Sequence, residues 1–204
     1  MSIVFGNFID ADDREEYLSL IFWGKNHSLQ ERWRNNGLSA DFLADYWTTF
    51  FSGSNPVSVA RQHEIRGTIA YIANELLENT MKFRDDGYDV CPVSFRMSLS
   101  KQALRFYVTN GLSHAASLRF QDYVRTVIAN DPAELYLQQL EANACSRDNS
   151  ISRLGLLTLL NDYHVELAWK FEEFDAISPL MTVTVMAVIR LPFEEERKTA
   201  HHKE

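Results

Sequence analysis

The sequence predicts an α+β fold, a two-layer sandwich whose mostly antiparallel sheet carries helices on one face. Three observations predict it. Val93, Phe95, Met97 and Leu99 alternate with polar residues, and Leu104, Phe106 and Val108 alternate again after Ser100-Lys-Gln, which is the pattern of an antiparallel hairpin. Segments with apolar residues at helical spacing lie before and after that hairpin. Two further strand patterns, 165–171 and 181–191, end the ordered part of the chain. Helices, hairpin, helices and two strands give one layer of each kind.

The first sixty residues read as mostly helical. Asp10-Ala-Asp-Asp-Arg-Glu-Glu16 resembles an acidic helix start, followed by Tyr17, Leu18, Leu20, Ile21 and Phe22. A second helical stretch covers 29–33. A third starts near Ser39, with Phe42, Leu43, Tyr46, Trp47 and Phe50 at helical spacing. Ser52-Gly-Ser-Asn-Pro56 is a loop. A long helix runs from about 57 to 83, with Ile65, Ile69, Ile72 and Leu76 as its buried stripe. The hairpin follows, and Asn110-Gly111 closes its second strand as a turn. Helical signals resume near Ser117. Asp131-Pro-Ala-Glu134 then supplies an N-cap, a proline at the first helical position and an acid at the third. A short apolar helix covers 154–160. Strand 165–171 alternates cleanly, whereas 181–191 is apolar on both sides and is expected to be central. The tail, 194–204, is charged and is expected to fray.

Composition bounds the function. The chain has 204 residues, with 20 Lys+Arg against 28 Asp+Glu and a formal net charge of −8. That balance argues against a polyanion surface, so no nucleic acid is expected as a partner. Only Cys91 and Cys145 occur, so no disulfide framework is expected, and no His/Cys spacing matches a zinc site. The start lacks a basic segment followed by an apolar one, and no apolar run approaches a membrane span. The expectation is a soluble, cytoplasmic protein with no membrane partner.

One stripe on the long helix has a chemical purpose open to it. Glu75, Asn79 and Lys82 recur at four and three residues, on one polar face. An Asn amide oxygen is a hard, neutral ligand suited to Mg²⁺ that also touches phosphates. A Glu one turn earlier can accept a proton from a hydroxyl aimed at a terminal phosphate. A Lys one turn later adds positive charge. The same three residue types on one helical face also make an ordinary solvated surface. His63, His114 and His164 fit no nucleophile-base order, and His201 and His202 lie in the tail. Trp23, Trp33, Tyr46 and Trp47 enrich the first third, a density that suits a core and also a partner or homodimer surface.

The order of segments resembles the GHKL superfamily of ATP-binding domains, which includes histidine kinases, gyrase-type ATPases and anti-sigma-factor serine kinases. Glu75, Asn79 and Lys82 resemble its N-box, with Phe83 in the final place. Thr109-Asn110-Gly111 stands where that superfamily has an Asp-x-Gly box reading the adenine amino group, with Thr109 in the register of the Asp. Ser150-Ile-Ser-Arg-Leu154-Gly155-Leu156-Leu157 stands at the lid and second glycine box, with Arg153 where an upstream glycine is usual. The resemblance spans about 57–191 and looks closest to a SiaB-like branch of bacterial regulatory kinases. It implies a Bergerat-type ATP-binding domain over 57–193, after a helical N-terminal extension over 1–56. It implies ATP and Mg²⁺ as cofactors and a STAS-domain partner phosphorylated on Ser or Thr. The implied roles are Glu75 as base, Asn79 on Mg²⁺ and Lys82 beside the phosphates. Thr109, Asn110 and Gly111 would lie against adenine, and Arg153, Gly155 and Leu156 at the lid base. The alternative is a module of the same fold that has lost ATP turnover and works by protein contact.

Overall fold

The computed structural model describes residues 2–23, 29–51, 56–82, 91–100, 102–145, 154–175 and 180–190, without the side chains of 29–34, 51, 56–58, 81, 82 and 145. In chain order these form β1 (Ser2–Phe5), β2 (Glu16–Phe22), α1 (Leu29–Thr48), α2 (Pro56–Lys82), β3 (Val93–Leu99), β4 (Ala103–Ser113), α3 (His114–Ala129), α4 (Pro132–Cys145), α5 (Leu154–Asn161), β5 (Glu166–Glu173) and β6 (Leu180–Arg190). Six strands make one antiparallel sheet in the order β1-β5-β6-β4-β3-β2. The helices cover one face, as the α+β reading expects. Among the described residues no helix is long and apolar enough to cross a membrane.

The β3–β4 hairpin pairs Leu99 with Leu104 and Met97 with Phe106, so the two alternating patterns put their apolar residues on one side. β6 lies between β4 and β5 and buries residues of both faces, Val183 and Ala187 on one and Met186 and Val188 on the other. That is the central strand its two-sided apolar sequence predicts. The main core packs Ile69, Ile72, Leu76 and Leu77 of α2 against Phe95, Phe106, Trp169 and Phe171 of the sheet. α1 packs on α2 through Leu43, Ala44 and Trp47, and Arg66 of α2 bridges back to Asp45 at 2.6 Å. At α4 the Asp131 carboxylate accepts from the backbone N–H of Ala133 and Glu134, as its cap sequence requires.

Three expectations are corrected. Residues 2–22 are not a helical extension: they supply both edge strands of the sheet. In β2 the period is two, with Leu18, Leu20 and Phe22 packed toward the core and Tyr17, Ser19 and Ile21 exposed. The acidic run before it caps no helix. It forms a strap, 6–15, that crosses the other face of the sheet from β1 to β2. Gly6 turns the chain into the strap at φ +74°, and a Cβ there would fall 2.9 Å from the Leu167 carbonyl oxygen. Phe8 anchors the strap on Tyr107, Ala168 and Met186. Its acids then meet the cations of that face: Asp10 on Lys170 at 2.9 Å, Asp13 on Arg96 at 2.6 Å and Glu15 on Arg105 at 2.8 Å. The second correction is that 29–33 and the segment from Ser39 belong to one helix, α1. The third concerns Asn110-Gly111, which is no turn. β4 runs on to Ser113, whose hydroxyl caps α3 by accepting from Ala116 N–H at 3.2 Å.

Candidate functional site

α2 carries the predicted stripe. Pro56 opens the helix, where its missing N–H costs nothing. Ile69, Ile72, Ala73, Leu76, Leu77 and Thr80 face the sheet and are buried. Glu75 and Asn79 lie one turn apart on the flank of that face, each half-buried. Lys82 ends the helix, and its side chain is outside the described residues.

The structure brings Glu75 together with Gly155, eighty positions further on. A Cβ added to Gly155 would overlap the Glu75 carboxylate, with Cδ only 2.9 Å away. With no Cβ on Gly155, the Glu75 carboxylate lies directly against the first turn of α5. The carboxylate thereby sits at the amino end of α5, where the helix dipole favours negative charge. Leu156, the next residue, points into the core at 3% exposure and is a packing residue. Arg153 lies outside the described residues.

Sequence reasoning missed the aromatic wall of this site. Tyr71, one turn before Glu75, stacks on Tyr163 with ring centroids 4.6 Å apart and planes at 14°. Its hydroxyl is hydrogen-bonded to Thr158 of α5. Burial first, and then the Glu75 charge, push the Tyr71 phenol up to about 12, with the Thr158 bond working the other way. The i, i+4 spacing of Tyr71 and Glu75 is legible in the sequence; the stacking partner from the far end of α5 is not. A tyrosine whose folded pKa is raised stabilises the fold fully below its ordinary value of 10.0. That contribution is lost as pH rises from 10 to 12, because the unfolded chain ionises first. Tyrosine ring-carbon NMR is expected to show one late-titrating phenol, and Glu75→Gln is expected to bring it down.

Asn79 has a buried amide nitrogen that meets no hydrogen-bond partner among the described residues. An amide end left without a protein partner is what a ligand-contacting Asn presents, and which end is oxygen is set by what it meets. The residue therefore fits a Mg²⁺ ligand in type and in position. Among the described residues no three His, Cys, Asp or Glu side chains gather as a metal site. A cation here would rest on Asn79 and on the oxygens of a phosphate ligand.

The Thr109-Asn110-Gly111 segment is split by the pleat of β4. Val108 and Leu112 face the helices, so Asn110 does too, at 3% exposure. Among the described residues its side chain makes a long 3.4 Å bond to the Gly111 carbonyl. Thr109 and Gly111 face the strap side, away from Glu75 and Asn79. The Thr109 and Thr184 hydroxyls are 2.8 Å apart across β4 and β6. A Cβ on Gly111 would fall 2.8 Å from that of Cys91, so this glycine answers to packing. Of the three residues, Asn110 is the one on the helix face of the sheet. A separate cleft of about 490 Å³ runs between α3, α4 and α5, lined by Arg119, Tyr123, Gln138 and Gln139 among others, and none of the predicted site residues lines it.

The Gly155 contact predicts a small coupling. Gly155→Ala displaces only the end of the flexible Glu75 side chain, which can turn aside. In a Glu75→Ala background it is expected to stabilise by about 0.5–1 kcal/mol, the helix-propensity gain of Ala over Gly. Urea unfolding of the four proteins in the cycle reads the coupling, expected at about 0.5 kcal/mol, the low end for residues in contact.

No family model matches this chain, and no curated protein matches it. Among solved structures it is similar to a chain in the crystal structure of the SiaB–SiaC complex from Pseudomonas aeruginosa. The TM-score is 0.53 and the identity 13%, over 84% of this chain and 89% of that chain. At that identity the likeness is one of fold.

Proposed function

We propose that the chain is a regulatory protein that takes Mg-ATP on the flank of α2 and transfers its terminal phosphoryl group to a Ser or Thr of a STAS-like partner. The observation that carries this is the meeting of Glu75 with Gly155, one turn from the buried amide of Asn79, on the side of the sheet that Asn110 also faces. The likeness of fold to a chain from a two-protein complex supports a role exercised on a partner protein. In this reading Glu75 takes the proton from the partner's hydroxyl as that oxygen bonds to the phosphorus, and ADP leaves. Asn79 holds Mg²⁺, which supplies positive charge at the phosphates. Lys82, at the end of α2, adds charge beside them, and Asn110 accepts from the adenine amino group through its amide oxygen. Incubation with radiolabelled ATP and a STAS-domain protein tests the reading. Label on a Ser or Thr of the partner is expected; an unlabelled partner in the presence of bound nucleotide contradicts it.

A second reading, a binding module without turnover, is favoured by one specific observation. Thr109 faces the strap side, and the helix face offers adenine the neutral Asn110 in place of a carboxylate. On that reading the partner binds and no label is transferred.

A further inference from the structure

α5 meets α2 at three places that follow one another along both segments. Gly155 lies against the Glu75 carboxylate, Thr158 is hydrogen-bonded to the Tyr71 hydroxyl, and Tyr163, just past the helix, stacks on the Tyr71 ring. The contacts do different things. Two rings stacked at 14° keep α5 close but tolerate sliding. The bond between two hydroxyls is directional, so it fixes how far α5 slides along α2. Phenylalanine at 71 would serve the stack equally well; the hydroxyl is useful there because Thr158 meets it.

The chain also bends to keep Tyr163 in place. Among the described residues His164 is the one non-glycine in the left-handed region, at φ +50°. Its side chain is exposed, so no packing of its own holds it there. Its neighbours do: Tyr163 lies on Tyr71, Val165 is buried in the core, and the Val165 N–H closes the turn on the Leu159 carbonyl at 3.0 Å. Glu75, by contrast, has a flexible side chain whose carboxylate can turn aside at little cost in stability. A proton acceptor needs the opposite, since a misplacement of about 1 Å can cost about 10²-fold in rate. The place of the carboxylate is bounded by the open turn at Gly155, and the place of that turn is bounded by the contacts at Tyr71.

We propose that Tyr71, Thr158 and Tyr163 form a clasp that positions Glu75 by fixing α5 on α2. They are positioning residues and act through Glu75 alone. The proposal rests on the reading of Glu75 as the base, and two measurements separate the clasp from that reading. The first needs no activity. Glu75→Gln removes a charge beside Gly155 and is expected to move the Gly155 amide resonance. In a Tyr163→Leu background it is expected to move that resonance clearly less, and in a Tyr163→Phe background, which keeps the stack, as much as in the wild type. The second is steady-state transfer to a STAS-domain protein. Thr158→Val removes the hydroxyl at nearly constant volume and is expected to lower kcat about tenfold, well within the cost of a misplaced group, with the KM for Mg-ATP unchanged. Thr158→Ser is expected to restore kcat. Tyr71→Phe is expected to match Thr158→Val, and the double variant to lose no more than either, because both remove the same bond. Equal movement of the Gly155 resonance in all three backgrounds, an unchanged kcat in Thr158→Val, or a Thr158→Ser protein as slow as Thr158→Val overturns the proposal. A wild type that transfers no phosphoryl group overturns the reading of Glu75 as the base, and the resonance measurement then decides the clasp.

Discussion

Glu75→Gln is expected to lower phosphoryl transfer to a STAS-like partner by about 10²–10⁴-fold, the range over which a positioned base contributes. The substitution keeps the length and volume of the side chain. It also keeps the packing against Gly155, which depends on the shape of that side chain. What it removes is the negative charge, and with it the proton acceptor. Binding of Mg-ATP is expected to persist, since Asn79 and the phosphate contacts are untouched. Single-turnover transfer and nucleotide affinity, measured on the same preparation, separate the two effects. A variant that loses both has lost the site; a variant that transfers at the wild-type rate removes Glu75 from the chemistry.

The second large effect is on stability. Trp169→Ala is expected to cost about 3–5 kcal/mol, as for other large aromatic truncations in cores. Trp169 is 1% exposed in β5, paired with Phe5 of β1 and Val185 of β6. It therefore ties the amino-terminal edge strand to the centre of the sheet. For a chain of this length the loss corresponds to a fall in Tm of roughly 6–20 °C. Trp169→Phe separates burial from polarity. The indole N–H meets no acceptor among the described residues, so the phenyl ring loses volume and sheds an unsatisfied donor together. Its cost is expected to be clearly smaller than that of Trp169→Ala, because the phenyl ring leaves a smaller cavity. Thermal unfolding of the two variants checks the ordering.

The parts of this fold that were legible in the sequence are those governed by local rules. The β3–β4 hairpin follows from two alternating runs. The start of α4 follows from Asp131 and Pro132, and the central place of β6 from its two-sided apolar composition. The edge strands were hidden for a different reason. β1 is four residues long, and its partner, β5, lies more than 160 positions away, so nothing local marks it. The acids of 10–16 look like a helix start because Asp and Glu favour that end of a helix. Here they are chosen instead by Arg96, Arg105 and Lys170, cations that only the folded sheet brings beneath them.

The site divides in the same way. Glu75 and Asn79 were readable as one face of a helix, because their spacing fixes their relation. The approach of Gly155 was not, because a glycine says that something comes close without saying what. Thr109 and Asn110 were both readable as candidates, and the strand pattern separates them: Leu104, Phe106 and Val108 define the parity of the helix face, and 110 shares it. Strand parity is the stronger guide here, since one step along β4 moves a side chain through the sheet.

The central claim is that the α2 flank holds Mg-ATP, and calorimetric titration of the full chain with Mg-ATP tests it most directly. The wild type is expected to bind one nucleotide per chain. Asn79→Ala is expected to weaken that binding at least tenfold, and omission of Mg²⁺ is expected to weaken it in the wild type far more than in the variant. No heat and no saturation with the wild type, or equal affinity in the two proteins with and without Mg²⁺, contradicts the claim.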